Sequence, residues 1–110
     1  MVYDEGLAER VRAALQGVRG VSEKKMFGGL SFLLRGHMCC GIIGDELMVR
    51  VGPEAYAACL REPHAREMDF TGRPMKGLVT VAVAGLTSSA TLAAWVARGR
   101  AYAACLPPKD

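Results

Sequence analysis

Apolar residues recur at two different periods along this chain, and each change of period marks a change of element. Between Asp4 and Gln16, Leu7, Ala8, Val11, Ala14 and Leu15 return at the spacing of one helical face. Asp4 is placed to cap the first turn and Gly17 to stop the last. Beyond Gly20 the pattern shortens to alternations broken by glycine, the signature of strands and hairpins. It predicts strands over Val21–Met26, Leu30–Leu34, His37–Ile43 and Leu47–Val51, with tight turns at Arg35-Gly36 and Gly44-Asp45.

Such short links favour antiparallel neighbours. Gly52-Pro53 should then open a short helix with Ala55, Tyr56, Cys59 and Leu60 on its apolar side, ended by Pro63. A strand over Glu67–Phe70, a turn at Thr71-Gly72-Arg73-Pro74 and a strongly β-prone run over Leu78–Val83 follow, with Val79, Val81 and Val83 facing the core. The last helix is the clearest element. Leu92, Trp95, Val96, Gly99, Tyr102, Ala103 and Leu106 keep the i, i+3, i+4, i+7 rule, Ser88 or Ser89 caps it, and Pro107-Pro108 stops it. The order of elements predicts an α+β fold in two layers, an antiparallel sheet of five to six strands with helices on one face.

Strand alternation carries a further expectation. If Leu30, Phe32, Leu34, Leu47, Val49 and Val51 meet the helices, then Ser31, Leu33, Arg35, Met48 and Arg50 lie on the other face. Cys39 and Ile43 join them from the third strand or, in the opposite register, Met38, Cys40 and Ile42. Leu33 and Met48 rimmed by Arg35 and Arg50 would make an apolar patch for a second copy or a partner protein; cover by other parts of the monomer is the alternative.

Length and composition narrow the class. The 110 residues, 51% hydrophobic, suffice for one domain spanning 1–110 with its own core. A net charge of +3, dispersed among acidic residues, gives little electrostatic reason to expect nucleic acid. Carboxylates at Asp4 and Glu5 sit where a secretory signal has its basic start, and no apolar run approaches the ~18 residues of a membrane span. A cytoplasmic protein is expected. Its four cysteines, Cys39, Cys40, Cys59 and Cys105, form no C-x-x-C pair and read as reduced thiols.

Candidate chemistry is sparse. His37, Cys39 and His64 are the residues from which a metal site would be built, but Cys39 and Cys40 should face opposite sides of a strand, and no metal or cofactor is expected. No nucleophile elbow accompanies the histidines, and the carboxylates fall at turns or exposed strand positions, so no catalytic residue is assigned. Gly28-Gly29 and Gly72 to Gly77 match no nucleotide fingerprint. Lys24, Lys25, Phe27, Gly28, Gly29, Arg50, Gly72, Arg73 and Lys76 are the candidates for holding an anion or a partner at glycine-exposed amides.

Three segments in order, Lys24-Lys25-Met26-Phe27-Gly28-Gly29, Gly36-His37-Met38-Cys39-Cys40-Gly41 and Met68-Asp69-Phe70-Thr71-Gly72-Arg73-Pro74-Met75-Lys76-Gly77, make the chain resemble the N-terminal domain of the TfoX/Sxy family over nearly its whole length. The resemblance implies a two-layer fold with an antiparallel sheet. It also implies a role like that of competence regulators, which act as transcriptional co-activators through protein contacts. The reading is thus a non-catalytic regulatory or adaptor module with a protein partner such as a transcription complex, and with homodimerisation open. Binding of nucleic acid or an anionic ligand is the first alternative, and a metal- or thiol-dependent protein the second.

Overall fold

The computed structural model describes residues 3–26, 29–67 and 77–106. Its first helix, α1 (Glu5–Ala14), begins where Asp4 accepts the Leu7 amide at 3.1 Å, which satisfies one of the donors a helix start leaves unpaired. Four strands follow as an antiparallel meander: β1 (Val21–Met26), β2 (Gly29–Leu34), β3 (His37–Ile43) and β4 (Glu46–Arg50). The β2–β3 turn is the expected two-residue one. Arg35 and Gly36 both take positive φ, 52° and 88°, the geometry whose twist matches the flanking strands.

After β4 come α2 (Tyr56–Leu60), β5 (Ala65–Glu67), β6 (Leu78–Val81), a 3₁₀ turn (Val83–Leu86) and α3 (Ser89–Ala104). The six strands lie in the order β1-β2-β3-β4-β6-β5, every pair antiparallel. Ser88 caps α3 by accepting the amides of Ala90 and Thr91.

The alternation of β2 and β4 puts Phe32 and Val49 in one core with Leu92, Trp95, Val96 and Ala103 of α3 and Leu7, Ala8 and Val11 of α1. All three helices contribute to this core, so the sheet is helix-covered on one face, as expected for an α+β fold. Burial of the larger of these side chains, each contributing about 1.5 to 3 kcal/mol, is the main force holding helices to sheet.

Four expectations are corrected. Val83 does not face the core: it is 54% exposed, because β6 ends at Val81, the Ala82 amide turns to the His64 carbonyl, and the 3₁₀ turn begins. The strand expected to begin at Glu67 begins already at Ala65, and residues 68–70 lie outside the described ones. The helix expected from Gly52-Pro53 starts only at Tyr56, after a turn over 53–55.

Phe32 pairs with Cys40 but Leu33 pairs with Met38, so Cys39 is an extra residue in β3, a β-bulge. Cys39 and Cys40 therefore do not face opposite sides. Both are fully buried in the core, while Met38 stays on the other face beside Ser31, 3.7 Å from its hydroxyl.

Candidate functional site

The face away from the helices does not present the expected patch. Ser31, Gly41, Met48 and Thr80 form one row across it, in direct register. The row is closed to solvent. Met48 is only 1% exposed, and its methyl lies where a side chain on Gly41 would be, 2.6 Å from a Cβ built there. Met48 is thus a packing residue, not a surface one. Leu33 is half-buried and Arg35 exposed in the hairpin turn.

The described basic candidates, Lys24, Lys25 and Arg50, are not gathered either. Lys24 and Lys25 are exposed on β1, at the sheet edge. Arg50 is on β4, three strands away, roughly 14 Å at ~4.8 Å per strand, and its guanidinium sits 5.4 Å from the Tyr102 ring centroid on α3. Gly29 is buried at the start of β2, where a Cβ would strike the Ile42 carbonyl oxygen. Phe27, Gly28, Gly72, Arg73 and Lys76 lie outside the described residues.

His37 and His64 cannot share an ion. His37 begins β3 opposite Leu34, whereas His64 precedes β5 at the far side of the sheet and at the other end of its strands. Among the described residues no three His, Cys, Asp or Glu side chains gather as a metal site.

What the fold does build is a cleft between α2 and α3, of about 720 Å³. One wall is the turn-and-helix stripe Ala55, Ala58, Cys59 and Glu62; the other is the α3 stripe Arg98, Ala101, Tyr102 and Cys105. Both follow i, i+3, i+4, i+7, so each wall is one side of a helical path, and Val51, Gly52, Pro53 and Glu54 complete the lining. The alanines are what keep it open. Larger side chains at 58 and 101 would fill the space between the helices.

Two of its polar side chains, Arg98 and Tyr102, are held in place. Arg98 lies 3.6 Å from Glu62 across the cleft and 4.4 Å from the Trp95 ring centroid, a cation–π stack. Tyr102 is fixed from two sides: Arg50 stacks on it, and Gly52, at φ 86°, approaches so closely that a Cβ there would lie 2.4 Å from the ring. Burial pushes the Cys59 thiol above its ordinary pKa, with Arg98 acting in the opposite sense, so a thiolate is disfavoured. Among the described residues, the cleft presents small apolar side chains around the Tyr102 ring, and neither of its thiols, Cys59 and Cys105, shares the lining with a histidine.

Sequence reasoning missed this site because Tyr102 reads as part of the core stripe of α3 and Cys59 as part of the apolar side of the short helix, and neither spacing shows that the two helices face each other.

No curated protein matches the chain, and no solved structure does. The family model described as the TfoX N-terminal domain matches residues 13–103, a span running from the end of α1 through the whole sheet and nearly all of α3. By that match over most of its length, the chain belongs to the TfoX N-terminal domain family.

Proposed function

We propose that this chain is a non-catalytic regulatory or adaptor module that binds a partner protein by taking the partner's apolar side chains into the α2–α3 cleft. The observation that carries the reading is the cleft's make-up: small residues on both walls, a fixed Tyr102, and an Arg98 stacked and paired at its side. Tyrosine and arginine are the residue types that concentrate binding energy at protein interfaces, most of all when they are held in place before the partner arrives. Membership of the family supports a role in transcription regulation through such contacts, the role that its competence regulators suggest. A reducing cytoplasmic setting belongs to the same reading, supported by four free cysteines, three of them buried.

Direct nucleic-acid binding is the less supported reading, because Lys24 and Lys25 stand apart from Arg50. The test is affinity capture from the native cell with the wild-type chain and with Ala58→Trp, each with and without nuclease. The reading expects proteins that are held by the wild type, survive nuclease and are lost with Ala58→Trp. Loss of every captured protein on nuclease treatment, or equal capture by both chains, would overturn it.

A further inference from the structure

On an unbroken strand, adjacent cysteines point to opposite faces. The bulge in β3 cancels that alternation and brings the sulfurs of Cys39 and Cys40 to 3.9 Å, in S–H···S contact, inside the core. The cleft does not use them. Two small apolar residues would fill the same space without either sulfur, whereas a pair of thiols in contact has a chemistry of its own.

We propose that Cys39 and Cys40 form a two-electron thiol switch, closed to an intrachain disulfide by a peroxide and reopened by a thiol reductant. One sulfur, as thiolate, attacks an oxygen of hydrogen peroxide; the O–O bond breaks, and the leaving hydroxide takes up a proton to become water. The sulfenic acid so formed is attacked by the neighbouring sulfur. The S–O bond breaks, the hydroxide leaves as a second water with the neighbour's proton, and the S–S bond closes. Two thiols and one peroxide give one disulfide and two waters, the sulfurs losing the two electrons that the peroxide gains.

Peroxide suits a buried pair because it is small and uncharged. The contact with Cys39, and burial after it, push the Cys40 thiol well above its ordinary pKa, while the same contact lowers that of Cys39, so Cys39 is the sulfur that meets the peroxide. The closed form is strained. Cα atoms across a trans peptide are about 3.8 Å apart, short of the ~4.4 Å lower end for ordinary disulfides, and strained disulfides are the readily reduced ones.

Closure draws the sulfurs from 3.9 Å to about 2.0 Å, a displacement that the Cys39–Cys40 backbone must take up. Gly99 of α3 rests on the Cys39 carbonyl, so the movement passes to α3 and to Trp95, one turn before Gly99 and the only tryptophan of the chain. Oxidation of the pair thereby shifts the helix that forms one wall of the cleft.

The test treats the folded chain with hydrogen peroxide, then alkylates in denaturant and digests with trypsin. The peptide Gly36–Arg50 contains both residues and no other cysteine. It is expected about 2 Da lighter and unalkylated, restored by dithiothreitol, with a reversible change in Trp95 emission on the same time course. The switch is overturned if Gly36–Arg50 carries two alkyl groups after peroxide has consumed the exposed Cys105, or if the lighter peptide forms only after prior unfolding. A lighter peptide with unchanged Trp95 emission would overturn the coupling to α3.

Discussion

Gly99 of α3 rests directly on the Cys39 peptide: a Cβ on Gly99 would lie 2.0 Å from the Cys39 carbonyl oxygen and 3.3 Å from a methyl of Val49. This contact sets how closely the longest helix approaches the bulged strand. Gly99→Ala should gain about 1 kcal/mol of helix propensity. The clash is with backbone, which cannot rotate away, and overpacking of this kind costs about 3 kcal/mol. The net expectation is a loss of about 2 kcal/mol, read as a Tm lower by roughly 10 °C in thermal unfolding. An unchanged or higher Tm would mean that α3 is not seated there.

Met48 and Leu33 share the face away from the helices but not the same burial. Met48→Ala should cost about 3 kcal/mol, since it empties a closed row, and Leu33→Ala about 1 kcal/mol, since half of that side chain already meets water. Denaturant titration of the two variants checks the order. Equal, small losses would restore the view of this face as an open surface.

Arg12 of α1 holds Glu23 of β1 through paired hydrogen bonds of 2.7 and 2.9 Å. That bonding lowers the Glu23 carboxyl below its ordinary pKa, with burial opposing. A carboxyl depressed in the folded state stabilises fully above its unfolded pKa, and the contribution disappears as pH falls through the folded value. Wild type and Glu23→Gln should therefore differ in Tm at neutral pH and converge as pH drops below the ordinary carboxylate range. The pair is partly exposed, so added salt should narrow the gap. A gap that widens in acid would contradict the assignment.

Much of the fold was legible because its signals are local. Asp4 and Ser88 as caps, Arg35-Gly36 as a two-residue turn, and the bounds of β1 and β3 follow from short-range chemistry that the sequence displays directly. The membership signalled by the segments around Lys24, His37 and Arg73 agrees with the family match. The bulge at Cys39 was not legible, because His37 to Ile43 reads as an uninterrupted strand and only pairing with β2 reveals the extra residue. Val83 misled for a related reason: its alternation continues β6 after the ladder with β5 has ended.

The site was harder to read than the fold. The cleft depends on α2 and α3 lying side by side, and these helices are separated in sequence by β5, β6 and the 3₁₀ turn. Nothing local to Ala58 or Ala101 announces that they face each other. The basic residues stood out in sequence, yet the sheet spreads Lys24 and Arg50 over three strand spacings.

The central claim is that the α2–α3 cleft is the binding surface, and it is tested most directly by calorimetric titration of a captured partner against wild type, Ala101→Trp and Leu33→Glu. With all three chains folded, the cleft account expects Ala101→Trp to weaken binding by about 100-fold or more, the loss of a contact centre worth about 3 kcal/mol, and Leu33→Glu to bind like wild type. Undiminished affinity in Ala101→Trp, with loss in Leu33→Glu, would move the interface to the sheet and contradict the account.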